Sequence, residues 1–347
     1  MDTHGAKYSR SRLVMLHQGA LGDFLLFFPV LEGLYHSYPH LRMDFWSRAE
    51  HVRLIAHRPY VGGFHPSDGS ELSPFYHESL WREAPVPSFF ENAHTVFIVG
   101  QASGKALAER LAERLDSPVH WVRSFPGTGE SGRVSEFIAD QFERLGWRIG
   151  EIGETRLDHP RPEVAEEVRK QLSREGLSDP FVVLHPGSGG RRKIWPLGRW
   201  WTLLERIEAA CRCPVAMTLG PADEYLFEFA EKARRAFGVR VLNDLSLLDL
   251  ASLLSSCRLY VGNDSGVSHL AAVVGAPSLV LFGPTDLNIW APRGARVRVV
   301  QSSWAEAEIM NLTPQPLEPQ MEEALTTLLL DDGLSSDRVV DQENTQW

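Results

Sequence analysis

Asp23 ends a short glycine turn, Gly19-Ala20-Leu21-Gly22-Asp23, at the entrance to a predicted helix. An unperturbed aspartate titrates at about 3.9, and a helix N-terminus holds it lower, so the group is ionised at neutral pH. As such it can accept a proton but is a weak base, and burial against a substrate would strengthen it. Its plainer role is to cap the helix.

Three segments of the second half carry further chemistry. His185-Pro186-Gly187-Ser188-Gly189-Gly190-Arg191-Arg192-Lys193-Ile194-Trp195-Pro196 leaves the end of a predicted strand, where open α/β sheets bind ligands. Its glycines let the backbone approach a ligand, Ser188 offers a hydroxyl proton, and Lys193 is a point charge for phosphate. An ordinary loop is the alternative. Gly262-Asn263-Asp264-Ser265-Gly266-Val267-Ser268-His269 also follows a strand and opens a helix. The first turn of a helix presents unbonded N–H groups and a positive dipole end, which favour an anion. Asp264 is equally a good N-cap, and His269, four residues after Ser265, shares its helix face. Leu281-Phe282-Gly283-Pro284-Thr285-Asp286 is a third strand-end turn, with Thr285 and Asp286 expected as loop or capping residues.

The elements that must hold these groups alternate almost throughout. In the first half, strands are expected at 13–16, 43–46, 96–99 and 119–122, and helices at 23–38, 49–57, 104–115 and 134–145. A Gly-, Pro- and charge-rich stretch, 149–162, reads as a linker. Strands at 181–184, 215–219, 239–242, 259–261 and 278–282 then alternate with helices at 163–174, 197–210, 222–237, 247–256, 265–274 and 321–330. Short apolar runs between helical periods imply βαβ units and parallel sheets. The 347 residues suit two domains: 1–162, with the linker, and 163–330, followed by an acidic tail, 331–347, expected to be disordered. No pattern is evident in 59–90.

Composition narrows the function classes. A net charge of −10 disfavours general nucleic-acid binding, which depends on Lys and Arg neutralising phosphates. Cys211, Cys213 and Cys257 form neither a disulfide framework nor a zinc site and suit a reducing compartment. No apolar run approaches the roughly 18–20 residues of a membrane helix, so membrane contact is expected to be peripheral at most. Nine of the 13 histidines precede residue 95 but lack the pairing of a helical zinc motif. Gly127-Thr128-Gly129-Glu130-Ser131-Gly132 is a literal dinucleotide fingerprint, set aside because it comes late in the first half. Gly100–Lys105 has three residues between its glycines and Ala106 after the lysine, which fails the phosphate-loop pattern.

Taken in order from about Leu13 to Gly294, the turn at Gly19–Asp23, the three strand-end segments and Gly220-Pro221-Ala222-Asp223-Glu224 resemble glycosyltransferase family 9, the ADP-heptose:lipopolysaccharide heptosyltransferases. The resemblance implies a GT-B fold, two Rossmann-like domains with parallel sheets facing across a cleft, acceptor on the N-terminal side and donor on the C-terminal side. Residue by residue, it makes Asp23 the catalytic base, places Ser188 and Lys193 on the donor diphosphate and Glu224 near the donor nucleoside, and sets Asp264, Ser265, Gly266 and His269 around the sugar and diphosphate. His17 and Gln18 depart from it, since the family often carries a basic residue there.

The implied activity is inverting transfer of a heptose or related sugar from an ADP-linked donor to a saccharide or lipid-linked saccharide acceptor, such as a lipopolysaccharide core. It would take place in the cytoplasm or peripherally at the inner membrane face. No metal or other cofactor is expected: the chain contains no Asp-x-Asp pair, and Lys193, the glycine loop and the helix start at Ser265–Gly266 could stabilise the leaving diphosphate instead. Phe24, Trp46 and Arg48 are placed where they could meet the acceptor, although core packing is the role expected of the two aromatics. Two other activities remain open: a sugar- or nucleotide-sugar-binding protein of the same fold without transfer, and a nucleotide-sugar epimerase, for which His17, His185 and His269 could supply catalytic groups.

Overall fold

The computed structural model describes residues 12–127, 129–157, 162–174, 176–177, 180–211 and 213–330. The acidic tail and Thr128 of the glycine fingerprint lie outside the described residues. The first half contains β1 (Arg12–His17), α1 (Leu21–Ser37), β2 (Arg42–Ser47), α2 (Ala49–Ile55), β3 (Val61–Pro66), α3 (Ser73–Tyr76), β4 (Thr95–Val99), α4 (Ala102–Ala112), β5 (Val119–Val122) and α5 (Val134–Arg144). The second half contains α6 (Pro162–Arg174), β6 (Val182–His185), α7 (Leu197–Ala210), β7 (Val215–Leu219), α8 (Phe227–Phe237), β8 (Arg240–Asn243), α9 (Leu247–Ser256), β9 (Leu259–Asn263), α10 (Gly266–Val273), β10 (Ser278–Phe282), α11 (Leu287–Trp290), β11 (Val297–Gln301) and α12 (Pro319–Leu330).

Two parallel sheets result, ordered β3-β2-β1-β4-β5 and β11-β10-β9-β6-β7-β8. Each reverses its winding once, between β1 and β4 and between β6 and β9. Ligands of open α/β sheets bind in the crevice at such a reversal, beyond the C-terminal strand ends. The glycine turn follows β1, and the 186–193 and 264–268 segments follow β6 and β9, so the chemistry-bearing segments flank the two reversals. The glycine fingerprint follows β5, an edge strand, away from both.

Central strands are buried along their whole length, as the apolar runs of β4, β9 and β10 require in a sheet covered on both faces. One apolar core is shared between the halves. Phe24, Phe27, Phe28 and Leu31 of α1 belong to the same cluster as Leu250, Leu253 and Leu254 of α9 and Leu270 and Val273 of α10. The connecting stretch is pinned to both sides: Gly150 N–H donates to Gly33 O (3.1 Å) and Leu157 N–H to Val273 O (2.7 Å).

Phe24 and Trp46 are wholly buried, so the two aromatics take the core role expected of them and not that of acceptor contacts. Other expectations are corrected. The patternless stretch 59–90 holds β3, α3 and single 3-10 turns, with Leu72, Phe75, Trp81 and Phe90 in one apolar cluster with Trp46, on which Phe90 stacks. The strand β11 was not expected at all. The helix expected from residue 222 starts at Phe227, after a 3-10 turn at Glu224–Leu226.

Candidate active site

The first turns of α1 and α10 meet head to head. A β-carbon built on Gly266 would lie 3.0 Å from the Gly22 amide nitrogen and 3.0 Å from Leu21 Cβ, so any side chain there would have to push the two helix starts apart. One built on Gly22 would lie 3.5 Å from His269 Cδ2, an ordinary contact. Neither helix has a side-chain cap from its N-cap residue, Ala20 or Ser265. Two positive dipole ends, each with unbonded N–H groups, therefore converge where the halves touch.

Asp23 is the third residue of α1. Its Oδ2 accepts from the Ala20 N–H (3.1 Å), half of a reciprocal cap, because alanine has no oxygen to return the bond. Gly19 makes room for it: a β-carbon there would sit 2.9 Å from Asp23 Oδ2 and 2.9 Å from His17 Cε1. Burial raises the Asp23 pKa, opposed by the Ala20 N–H and by the charge of Lys193. Lys193 belongs to the other half, so its action on Asp23 joins the two sides electrostatically.

Across the contact, Lys193 Nζ pairs with Asp264 Oδ2 at 2.8 Å, and Asp264 is nearly fully buried. Asp264 does not cap α10, because Ser265 occupies that place and the Asp264 side chain turns to the lysine instead. Ser188 Oγ donates to Asp264 O (2.8 Å), so its proton is already engaged and it offers a ligand its lone pairs. His269 is buried, and burial brings its pKa down to about 4, with Asp264 pulling up and Lys193 pushing down. The imidazole is therefore neutral at pH 7. Lys193 also lies 6.0 Å from the centre of the Trp290 ring, which packs at 5.1 Å on Phe125 of the first half. Asp286, expected in a loop or cap, caps α11 by accepting from Asn288 N–H (2.8 Å).

Asp23, Ser188, Lys193, Asp264, Ser265, Gly266 and His269 thus gather around one junction. Glu224 stands apart, exposed in its 3-10 turn. Its neighbour Asp223 is the buried one and was not singled out from sequence. Asp223 Oδ2 accepts from Gly220 N–H (2.8 Å), Tyr225 hydroxyl donates to its Oδ1 (3.4 Å), and its carboxyl fills the space a Gly187 β-carbon would need. Burial and Asp223 together push the Tyr225 hydroxyl up to about 12. Asn263, at the end of β9, was also missed in this role. Its Nδ2 donates to Pro186 O (2.7 Å) and its Oδ1 accepts from Trp195 N–H (3.1 Å), so one amide clasps both ends of the 186–195 loop. The signal in each case was a polar residue beside a glycine loop.

The other two histidines kept open for epimerase chemistry are also shut off from solvent. His17 is fully buried against Phe24 and Phe27, with its pKa brought down to about 3, first by burial and then by His51 and Arg48. His185 is buried with Nδ1 on Thr218 O (3.0 Å), and burial lowers its pKa against the pull of Asp223. Among the described residues, no group of three or more His, Cys, Asp or Glu side chains is disposed to hold a metal ion, and no helix is long and apolar enough to cross a membrane.

The sequence profile of glycosyltransferase family 9 (heptosyltransferase) matches residues 153–316. Lipopolysaccharide heptosyltransferase 1 of Salmonella typhimurium is 30% identical over 304 residues, 79% of this chain and 89% of the relative. The chain belongs to glycosyltransferase family 9. Two solved structures match it along almost their whole length. A family 9 glycosyltransferase from Veillonella parvula superposes with a TM-score of 0.71 at 19% identity, covering 92% of this chain and 97% of its own. The Escherichia coli ADP-heptose lipopolysaccharide heptosyltransferase II gives 0.67 at 18% identity, covering 93% and 99%. The family 9 chain accordingly has the GT-B fold and is a glycosyltransferase of the heptosyltransferase family. Its two sheet reversals lie on either side of the α1–α10 contact, where Asp23 and the Lys193–Asp264 pair meet.

Proposed function

We propose that this chain transfers a heptose from an ADP-linked donor to a saccharide hydroxyl of a lipopolysaccharide core or a related surface glycan, with inversion and without a metal. The observation that carries the reading is the electrostatic link between Asp23 and Lys193 across the α1–α10 contact: a half-buried carboxylate lies within the field of a cation beside an uncapped helix start. ADP-heptose is drawn from the name of the Escherichia coli relative, and lipopolysaccharide from that name and the Salmonella one. Nucleotide sugars are made in the cytoplasm, so the enzyme would work there, peripherally at the inner membrane face when its acceptor is lipid-linked.

In the proposed reaction the acceptor oxygen attacks the anomeric carbon while Asp23 takes the hydroxyl proton. The bond from that carbon to the diphosphate oxygen breaks, and its electron pair leaves with ADP. Attack opposite the leaving group inverts the anomeric centre. Charge growing on the diphosphate would be met by the first-turn N–H groups of α10 and by Lys193, which must exchange Asp264 for phosphate. The 186–193 loop, clasped by Asn263 and wedged by Asp223, would hold the diphosphate, with Glu224 near the nucleoside and His269 and Asp264 near the sugar. Burial lowers the pKa of both His17 and His185, which disfavours them as the acid–base pair of an epimerase.

The deciding experiment is calorimetric titration of the metal-free protein, with EDTA, against ADP, UDP and GDP. ADP should bind, and Lys193→Ala should weaken it by about tenfold or more, as loss of a phosphate-paired charge does. Asp23→Asn should keep ADP affinity yet lower turnover by at least about 10²-fold, the usual weight of a positioned base. No diphosphate binding, or full turnover by Asp23→Asn, would remove the reading. Proton NMR of the product showing a retained anomeric configuration would remove inversion alone.

A further inference from the structure

Beside Asp23, at the reversal point of the first sheet, a cavity opens between the loops after β1 and β4 and is closed by α3. Its polar lining is Gln18, Asp23, Tyr76, Gln101, Ser103 and Ser124, with Phe125 as a wall. Among the described residues, Asp23 is the one charged residue that lines it. The basic groups of the surrounding elements are turned elsewhere. Lys105 lies by Glu109 (3.8 Å) and over the Trp121 ring, Arg123 pairs with Glu130 (2.6 Å), and Arg110 donates to Phe75 O (2.7 Å). Arg48, the basic candidate for acceptor contact, is exposed at the start of α2 and is not part of the lining.

What the cavity offers is neutral hydrogen bonding and an aromatic face. The Tyr76 hydroxyl donates to Gln18 Oε1, and Gln101 Nε2 donates to Ser124 Oγ (3.0 Å). Tyr76 is 41% exposed, so its ring remains open to contact. Amides and hydroxyls match the alternating donors and acceptors of sugar hydroxyls, and an aromatic face matches the C–H face of a pyranose. A carboxylate or phosphate placed here would meet the Asp23 carboxylate, while Lys193, the cation that acts on Asp23, lies outside the lining and is already paired with Asp264; like charges in a partly desolvated site repel strongly.

We propose that this cavity receives the acceptor and selects an uncharged pyranose over a carboxylated or phosphorylated one. The inference rests on Asp23 acting as the base of the transfer. It gives the departure at Gln18, where the family often has a basic residue, a physical consequence for specificity.

The test uses the full chain with saturating ADP and three related probes: methyl α-D-mannopyranoside, its 6-carboxylate and its 6-phosphate. Binding is followed by saturation-transfer NMR. The neutral glycoside should bind at least about tenfold more tightly than either anion, the ratio expected for one uncompensated like-charge contact. Tyr76→Ala should remove most of its saturation transfer, and Gln101→Arg should reverse the preference. Anions bound as well as the neutral sugar, no glycoside bound beside ADP, or an unchanged signal in Tyr76→Ala would each overturn the proposal. The ADP resonances in the same samples report separately on the donor site. ADP bound with anions preferred overturns the acceptor class alone, whereas absent ADP binding overturns the transferase reading with it.

Discussion

The proposed base carries a conflict between stability and use. Burial raises the Asp23 pKa, so the folded protein holds that proton more tightly than the unfolded chain does. As pH rises from the unfolded value through the raised folded one, the unfolded state releases its proton first, and stability falls across that window. Above it, the buried charge is a standing cost. Asp23→Asn keeps an oxygen for the Ala20 N–H and removes the charge. Its melting temperature at pH 7 should therefore rise, by about 1–3 °C for a chain of this size, while turnover collapses. A fall in melting temperature would mean that the carboxylate serves the fold. The same shift sets the pH profile. Transfer needs the ionised form, so kcat/KM should fall on the acid side through a pKa above the ordinary value of about 3.9. Asp23→Asn should lack that limb. Because His269 is brought down to about 4, it adds no limb near neutrality.

At the scale of elements, the α1–α10 contact separates two glycines that look alike in sequence. Gly22→Ala adds a methyl at ordinary contact distance from His269 and should cost activity no more than about threefold. At Gly266 the added carbon would press on the Gly22 amide nitrogen, which is helix backbone, and on the partly buried Leu21 side chain. Gly266→Val should push the helices apart and lower kcat by at least about tenfold, since a small misplacement of reacting groups is enough for that. Equal effects of the two substitutions would contradict the head-to-head packing. These glycines and their helices were legible in sequence because strand, glycine and helix follow one another within a few residues. The wide apolar runs of β4, β6 and β10 were legible for the same reason. What was not legible lies at edges and in long-range pairings. β3 reads Val-Gly-Gly-Phe-His-Pro, a strand whose Gly62 leaves room for the Asp44 carboxylate, so local propensity argued against it. The clasp of Asn263 spans 77 residues to Pro186, and no local pattern encodes it. Ser188 and Lys193 could be named, but not their engagement with Asp264, which depends on how two loops meet.

For the whole molecule, the shared core has a thermodynamic consequence. Apolar side chains of α1 and α2 are buried against α9 and α10, so separating the halves would expose surface from both, at a cost that grows with the apolar area uncovered. Two sheets joined only by a linker would unfold in two steps. Here the connecting stretch is itself hydrogen-bonded to Gly33 and Val273, and loss of either half strips the other of its cover. Scanning calorimetry should therefore show one transition, with the calorimetric enthalpy matching the van't Hoff value. ADP, which the proposed donor site would hold with residues of the second half, should nevertheless raise the temperature of that single transition. A hundredfold excess over its dissociation constant adds about 2.7 kcal/mol, or roughly 5 °C or less in a chain this long. Two transitions, with only one moved by ADP, would show that each half is stable alone and that the α1–α10 contact opens without unfolding. A single shifted transition would mean that donor binding on one sheet stabilises the acceptor side as well, through the same helices that bring Asp23 to Lys193.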